Sequence, residues 1–313
     1  MNAINNPKGN SLNILITGSS GFIGSNLASI LQNNHRVVGV DLEPGDAGVH
    51  TICADLRYAI EPELQNEFTM ADIVIHCAAN VGVSAFLQNP SLMVDNWCGD
   101  FGVFEQCKKN NTPLIYLSTS EIYGSNPSIS ESSPMVITPE SRGSYAIGKL
   151  FGERFVQCWL ENYIILRPFN IVGPNQNALK GVIPGFIAKA TQNIDIPVYA
   201  VNGDVPERTF LHISDFCNVV CELISRFQDF NRTIWNVGSS QPYRIDAIAS
   251  AIIKYLKSSS KVQIVEPRKG DNVILERNPG VCKIFETLGL PKPQGIEYIL
   301  KDCMKFHVRK FPL

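Results

Sequence analysis

The first half of the chain alternates short unbroken apolar runs with longer segments of helical spacing. "NILITG", "HRVVGVD", "ADIVIHCAA", "TPLIYLSTS" and "IILRPFNIVGP" read as strands, and a further apolar stretch precedes "ADLR". Between them "GFIGSNLASILQNN" sets Ile23, Leu27, Ile30 and Leu31 on one helical face. "SLMVDNWCGDFGVFEQCKKN" and "SYAIGKLFGERFVQCWLENY" read as two longer helices. Strands that are apolar throughout, not at alternate positions, belong to a parallel sheet covered by helices on both faces. The predicted class is therefore α/β, a doubly wound parallel sheet.

After Pro174 the rhythm breaks. "GVIPGFIAKATQ" has helical spacing and "IPVYAV" is strand-like. "RTFLHISDFCNVVCELISRF" reads as a strand end, a Ser214 cap and a helix, and "TIWNVGSS" returns as a strand. From Gln241 two helical patterns flank "KVQIVEPRKGDN". The expected division is a sheet domain over residues 1–172, with 209–238 returning to it, and a smaller lobe from 173–208 and 239–313.

The first strand ends in "ITGSSGFIG", which puts Gly18, Gly21 and Gly24 between a strand and a helix. Glycines there let a tight turn bring backbone N–H groups against a pyrophosphate at a helix N-terminus. The spacing is G-x-x-G-x-x-G, not the commoner G-x-G-x-x-G. Asp41 ends the second strand 17 residues after Gly24. A carboxylate at that tip binds a ribose 2′-hydroxyl and repels a 2′-phosphate, so the expected cofactor is NAD, not NADP. This makes the sheet domain a Rossmann-type, NAD-binding one. Asp55, in "ADLR", is a candidate for the adenine end, or a solvated loop residue.

Composition narrows the partners. The 313 residues are 44% hydrophobic and 18% charged, with net charge −2. No nucleic-acid or anionic-membrane partner is expected from that balance, and no apolar run reaches the length of a membrane span. The polar N-terminus "MNAINNPKGNSLN" lacks a signal core. The nine cysteines form no C-x-x-C pair. Cys53, Cys77, Cys107 and Cys158 lie in apolar runs and read as reduced core residues of a cytoplasmic protein. Cys217 and Cys221 are one helical turn apart with no further ligand nearby in sequence, so no metal site is expected. The five histidines receive no catalytic role: His76 ends a core strand and His212 lies in the "FLHIS" strand.

The chemistry concentrates in "YLSTSEIYG" and "SYAIGK". The first runs an apolar strand into Ser118, Thr119, Ser120 and Glu121. The second sets Tyr145 and Lys149 at i, i+4 on one helical face. An ammonium beside a phenol favours the phenolate, and a tyrosine so tuned is a general acid/base near neutral pH. With "TGSSGFIG", "VDLE", "ADLR", "HCAAN", Asn96, "LRPFNIVGP", "RTFLHISD" and "RKGD", these motifs make nearly the whole chain resemble the extended short-chain dehydrogenase/reductase family. That family comprises the nucleotide-sugar epimerases, dehydratases and decarboxylases. The resemblance implies that Thr119 and Tyr145 engage the sugar 4-hydroxyl and that Lys149 holds the nicotinamide ribose. Phe22, Ile23, Leu56, Ala78 and Asn96 would join the glycines along the cofactor. Asn170, Arg208 and Arg268 would serve the substrate pyrophosphate, and Val182 and Tyr199 the nucleotide base. The chain departs from the family at Gly143-Ser144, where Ser-Pro is frequent, and at Gly148, where Ser is frequent. Neither departure removes a proposed catalytic group.

Glu121 discriminates among reactions. A 4-epimerase needs no further base, and that position is usually small or hydroxylic in such enzymes. A carboxylate can serve C5 chemistry. Thr119-Ser120-Glu121 resembles the UDP-glucuronate decarboxylases and also the GDP-mannose dehydratases, but the latter prefer NADP, against which Asp41 argues; dehydratases acting on dTDP-glucose carry Asp-Glu at the last two positions. The expected function is therefore NAD-dependent modification of a nucleotide sugar, UDP-linked, through a 4-keto intermediate with NAD recycled internally. A decarboxylase is the narrow expectation, with 4-epimerase and dehydratase as alternatives. A non-catalytic NAD sensor and a net reductase are the rivals from other classes. The helices at 92–109 and 145–161, carrying Phe101, Phe104, Phe151, Phe155 and Trp159, are expected to pair two copies into a homodimer.

Overall fold

The computed structural model describes residues 11–124, 126, 129–137, 143–178, 181–267, 275–277, 279–280 and 282–310, with backbone alone at 83, 84, 87, 276, 277 and 307–310. Its strands in chain order are β1 (Asn13–Thr17), β2 (Arg36–Asp41), β3 (His50–Cys53), β4 (Ile73–His76), β5 (Leu114–Leu117), β6 (Tyr163–Pro168) and β7 (Ile171–Val172). There follow β8 (Ile196–Tyr199), β9 (Glu207–Thr209), β10 (Leu211–His212), β11 (Thr233–Val237), β12 (Pro242–Arg244), β13 (Val262–Val265) and β14 (Glu276–Arg277). The helices are α1 (Phe22–Leu31), α2 (Pro62–Met70), α3 (Val83–Gln88), α4 (Leu92–Asn110), α5 (Gly143–Trp159) and α6 (Val182–Thr191). They continue with α7 (Ile213–Ser225), α8 (Phe227–Phe230), α9 (Ile245–Leu256), α10 (Ile284–Leu288) and α11 (Ile296–Lys310).

Seven strands form one sheet in the order β11-β6-β5-β4-β1-β2-β3. Every ladder in it is parallel. The unbroken apolar runs are explained by this arrangement, because both faces are covered. One layer, α1, α7 and α10, packs on Ile14, Ile16, Ile115 and Ile164. The other, α2, α4 and α5, packs on Leu15, Val74, Tyr116 and Ile165. A third core joins α6, α9 and α11 to the β8–β13 pair. The strand order reverses at the adjacent strands β1 and β4, and ligands of open parallel sheets bind at the carboxyl ends beside such a switch.

Several expectations shift. The run 164–174 is not one strand. It leaves the main sheet after Pro168, and Leu211 N–H donates to the Asn170 carbonyl (3.1 Å), so that β7 pairs with β10. α7 is capped by His212, whose Nδ1 accepts from Ser214 N–H (3.2 Å), and not by Ser214. Cys53 and Cys158 are exposed, at the sheet edge and in the last turn of α5, whereas Cys107, Cys217 and Cys303 are buried. Phe104 points into the sheet core, away from the outer aromatic face of α4 and α5. The chain also crosses back once more, since α10 packs in the layer of α7. No helix among the described residues is long and apolar enough to cross a membrane.

Candidate active site

The glycine turn follows β1. Gly18 has φ +71, a left-handed conformation that favours glycine, and its N–H donates to the Val40 carbonyl (2.7 Å). A Cβ on Gly18 would meet the Ala78 backbone at 2.6 Å, and a Cβ on Gly24 would strike the Gly18 carbonyl. Gly21 begins α1 as its cap, and its N–H reaches back to Gly18 O (3.1 Å). Asp41, at the tip of β2, accepts from Ser20 N–H (2.8 Å) and Leu42 N–H (2.7 Å). A carboxylate has about four acceptor sites, so capacity remains for a ribose. Asn96 bonds both ways to the Asn80 backbone (2.6 and 3.0 Å), which fixes the loop after β4 beside Ala78. Leu56 is a buried core residue under β2 and α4. Asp55 is engaged by Arg57 (2.6 Å), whose guanidinium holds it below the usual carboxylate range.

The hydroxyl-tipped strand divides its labour. Ser118 Oγ donates inward to the Glu153 carboxylate. Glu153 also takes both prongs of Arg167 (2.9 and 2.7 Å), and Arg167 donates to Tyr123 Oη (2.8 Å). Thr119 Oγ1 caps the one-turn helix Ser120–Tyr123 by accepting from Glu121 N–H (3.2 Å), and the hydroxyl is also bonded to Tyr145. Burial pushes the Tyr145 phenol up; the Thr119 bond pulls it down, and the Glu121 and Asp100 carboxylates push it up further. The expected acidification by Lys149 is thus not the dominant effect among the protein's own groups. Lys149 is buried at 4% exposure and lies 3.9 Å from Asp100, with its ammonium 4.6 Å from the centre of the Tyr116 ring.

A cavity of about 590 Å³ opens from this edge toward the third core. Thr119, Ser120, Glu121, Tyr145 and Lys149 line one side with Phe22 and Ile23 from α1; Asn170, Val182, Tyr199 and Arg208 line the other. Asn170 is tied to Thr209 O (2.9 Å), and Arg208 Nη1 to the carbonyls of Glu207 (2.6 Å) and Leu275 (3.1 Å). Val182 and Tyr199 are exposed at the far rim. Arg268 lies outside the described residues. Gln176, Phe169 and Phe186 also line the cavity and were not anticipated, and nothing in their spacing marks them. Asp100 and His76 were also missed. The available signal was an acidic residue in the apolar stretch of α4 opposite a histidine-ended strand.

A phenol, a hydroxyl, a carboxylate and a buried ammonium around one cavity, beside a glycine turn at a parallel-sheet switch point, define a dinucleotide-dependent enzyme of the Rossmann class. A family model described as "NAD dependent epimerase/dehydratase family" matches residues 14–238, and the chain belongs to that family. It is 32% identical to the UDP-N-acetyl-alpha-D-glucosaminuronate decarboxylase of Bacillus cytotoxicus, over 93% of this chain and 96% of that one. It is 27% identical to UDP-D-apiose/UDP-D-xylose synthase 2 of Arabidopsis thaliana, over 82% and 78%. Among solved structures, the UDP-N-acetylglucosamine 4-epimerase of Methanobrevibacter ruminantium in complex with UDP-N-acetylmuramic acid overlays with TM-score 0.82 at 24% identity, covering 96% of this chain and 100% of that one. MoeE5 in complex with UDP-glucuronic acid and NAD overlays with TM-score 0.83 at 24% identity, over 95% and 99%. These two likenesses concern the fold. The residues present suit the family's cofactor: a Cβ would fill the cradle at Gly18 and Gly24, and Asp41 keeps acceptor capacity at the β2 tip.

Proposed function

We propose that the chain is a cytoplasmic enzyme that modifies a UDP-linked sugar through a 4-keto intermediate, and that the particular reaction is decarboxylation of a UDP-uronate. The observation that carries this reading is the Glu121 carboxylate, close enough to Tyr145 to raise its pKa and set in the same cavity wall as Thr119 and Ser120. The decarboxylase relative supports it.

The glycine turn, Asp41 and Lys149 would hold NAD. Bound there, it would supply an acceptor for the hydride of sugar C4 and the donor that restores it. The rest falls to the chain. Tyr145 takes the proton of the 4-hydroxyl, and Thr119 orients that hydroxyl through its bond to the phenol. The resulting 4-ketone makes the C6 carboxyl that of a β-keto acid, which loses carbon dioxide to leave an enolate. Thr119 and Tyr145 stabilise the charge at O4. Ser120 positions the leaving carboxylate, and Glu121, protonated from solvent, relays that proton to C5. Asn170 and Arg208 bind the pyrophosphate, and Val182 and Tyr199 flank the base at the cavity's rim.

A second reading, 4-epimerisation, is favoured by the "GVIPGFI" segment that opens α6. The discriminating experiment is incubation with UDP-glucuronate and UDP-N-acetylglucosaminuronate, with product masses and NADH absorbance followed together. Loss of carbon dioxide is expected. Glu121→Gln should accumulate NADH and 4-keto sugar, while Tyr145→Phe should give no NADH. A Glu121→Gln variant with wild-type turnover, and products of unchanged mass, would establish the epimerase instead.

We also read α4 and α5 as the pairing face of a homodimer. Trp97 and Phe151 meet at 4.3 Å, Phe101 and Trp159 stack at 5.8 Å, and yet Phe151 remains 50% exposed beside exposed Val94 and Ile147. Such an aromatic patch is costly to leave in water.

A further inference from the structure

Asp100 is an anion in the middle of an apolar layer. It sits on α4 beside Val103 and Phe104 and is 2% exposed. Its carboxylate accepts from Tyr116 Oη (2.6 Å) and His76 Nε2 (2.9 Å), and Lys149 Nζ lies 3.9 Å away. The other ring nitrogen of His76 meets Thr17 Oγ1, which accepts from Ala78 N–H (3.4 Å). The tautomer with its proton on Nε2 satisfies both ring bonds without a charge. The layer makes room for the cluster at Gly152 of α5, where a Cβ would stand 3.2 Å from Asp100 Oδ2 and closer still to Tyr116 Oη. Asp100 and Lys149 are thus a buried pair of opposite charge, with Lys149 also in the wall of the cavity that holds Tyr145.

A lone ammonium in that wall would favour a phenolate at Tyr145. Paired with a carboxylate it presents little net charge. We infer that Asp100 is a positioning residue that takes up the charge of Lys149, so that Tyr145 stays a phenol until a positively charged ring is bound in the cavity. This rests on the reading of Tyr145 as the base, and it couples that base to the oxidation state of the cofactor. A base armed only by the oxidised ring suits a cofactor that is kept and recycled, because the proton is favoured back on Tyr145 once the ring is neutral.

The groups facing Tyr145 are Thr119 and Glu121 from the turn after β5, Phe86 from α3 (5.1 Å between rings), Asp100 from α4, Tyr116 from β5 and Lys149 from its own helix. Facing the ion pair are His76 and Cys77 from the end of β4, and Glu153 through Tyr116. Burial would raise Asp100, but Lys149 and the bonds from His76 and Tyr116 outweigh it and hold the carboxyl below its ordinary range. Burial raises Cys77 to about 12 against the pull of Lys149, so the thiol adds no charge.

The test is NMR titration of protein labelled at tyrosine Cζ, with the Tyr145 signal assigned by its loss in Tyr145→Phe. It needs neither substrate nor turnover. In NAD-stripped wild type, Tyr145 should remain a phenol through pH ~10, the ordinary tyrosine value. In the NAD complex it should titrate, and Asp100→Asn should lower that midpoint by about one pH unit, a tenfold change in proton affinity. Tyr116→Phe removes a bond to Asp100 but leaves its charge, and should leave the midpoint in place. The inference is overturned if folded Asp100→Asn leaves the midpoint unmoved or raises it, or if Tyr116→Phe lowers it equally. Should Asp100→Asn fail to fold, a phenolate in NAD-stripped wild type well below pH 10 overturns it and a persistent phenol supports it. If the titration behaves as stated while Tyr145→Phe still converts UDP-uronates, Asp100 keeps its role and the proposed reaction fails.

Discussion

The pair Glu153–Arg167 is the most informative place to cut this fold. Its side chains are 0% and 1% exposed and joined by two bonds of 2.9 and 2.7 Å. Arg167→Met leaves Glu153 as a buried charge with only Ser118 as donor. Glu153→Leu leaves the guanidinium with Tyr123 Oη (2.8 Å) and the Glu131 carbonyl (3.1 Å). Breaking a buried pair on one side costs about 3–5 kcal/mol. If the two effects were independent, the double variant would lose about 6–10 kcal/mol, more than many domains possess. The charges are coupled, however, and removing both also removes both desolvation costs. The double variant should therefore lose no more than either single one, which gives a coupling energy of about 3 kcal/mol or more. Urea unfolding of all four proteins, followed by fluorescence and circular dichroism, measures it. Single variants that cost under about 1 kcal/mol, or a double variant that equals their sum, would refute the assignment of this pair as a coupled buried unit.

Gly24→Ala should fold but weaken NAD binding roughly tenfold or more, about 1.4 kcal/mol, because its Cβ strikes the Gly18 carbonyl; calorimetric titration decides, and unchanged affinity counts against the cradle. Phe151→Glu should yield a monomer in light scattering at micromolar concentration with its circular dichroism unchanged, and a persisting dimer would place the interface elsewhere. Asp100, held low by Lys149 and its hydrogen bonds despite burial, contributes stability above its unfolded pKa of about 4 and loses it as pH falls through the lower folded value. Melting temperature should accordingly be insensitive to this group from pH 5 to 7, roughly, and fall below about pH 4, with a shallower fall in Asp100→Asn.

What the sequence disclosed depended on periodicity. The five strands apolar on both faces were legible, and so were the glycine turn and Asp41, because sheet burial and a crowded turn each impose residue types. β3 and α2 were not. β3 is an edge strand with no buried residue, and α2 buries only Leu64 and Phe68 among polar neighbours. In each, tertiary pairing supplies what local pattern does not. Ser118 stands in the cavity wall, yet its hydroxyl donates inward to Glu153; a hydroxyl at a strand end carries no mark of the direction it faces. Asp100 was hidden for the converse reason: an acidic residue within a helix is ordinarily solvated, and its partners come from β4, β5 and α5, far away in the chain.

Those partners explain how the helix α5 does its work. Tyr145, Lys149 and Glu153 recur every four residues, so one face of the helix presents a phenol, an ammonium and a carboxylate in successive turns. Each meets a different neighbour. Glu153 is locked to Arg167 of β6 and Ser118 after β5, Lys149 to Asp100 of α4, and Tyr145 to Thr119. The lowest contact is fully buried, and the highest opens on the cavity. A helix anchored by a buried ion pair two turns below Tyr145 has little freedom to tilt, since any tilt would expose or separate the charges of Glu153 and Arg167. The geometry at Tyr145 is therefore set from beneath, by residues outside the cavity wall.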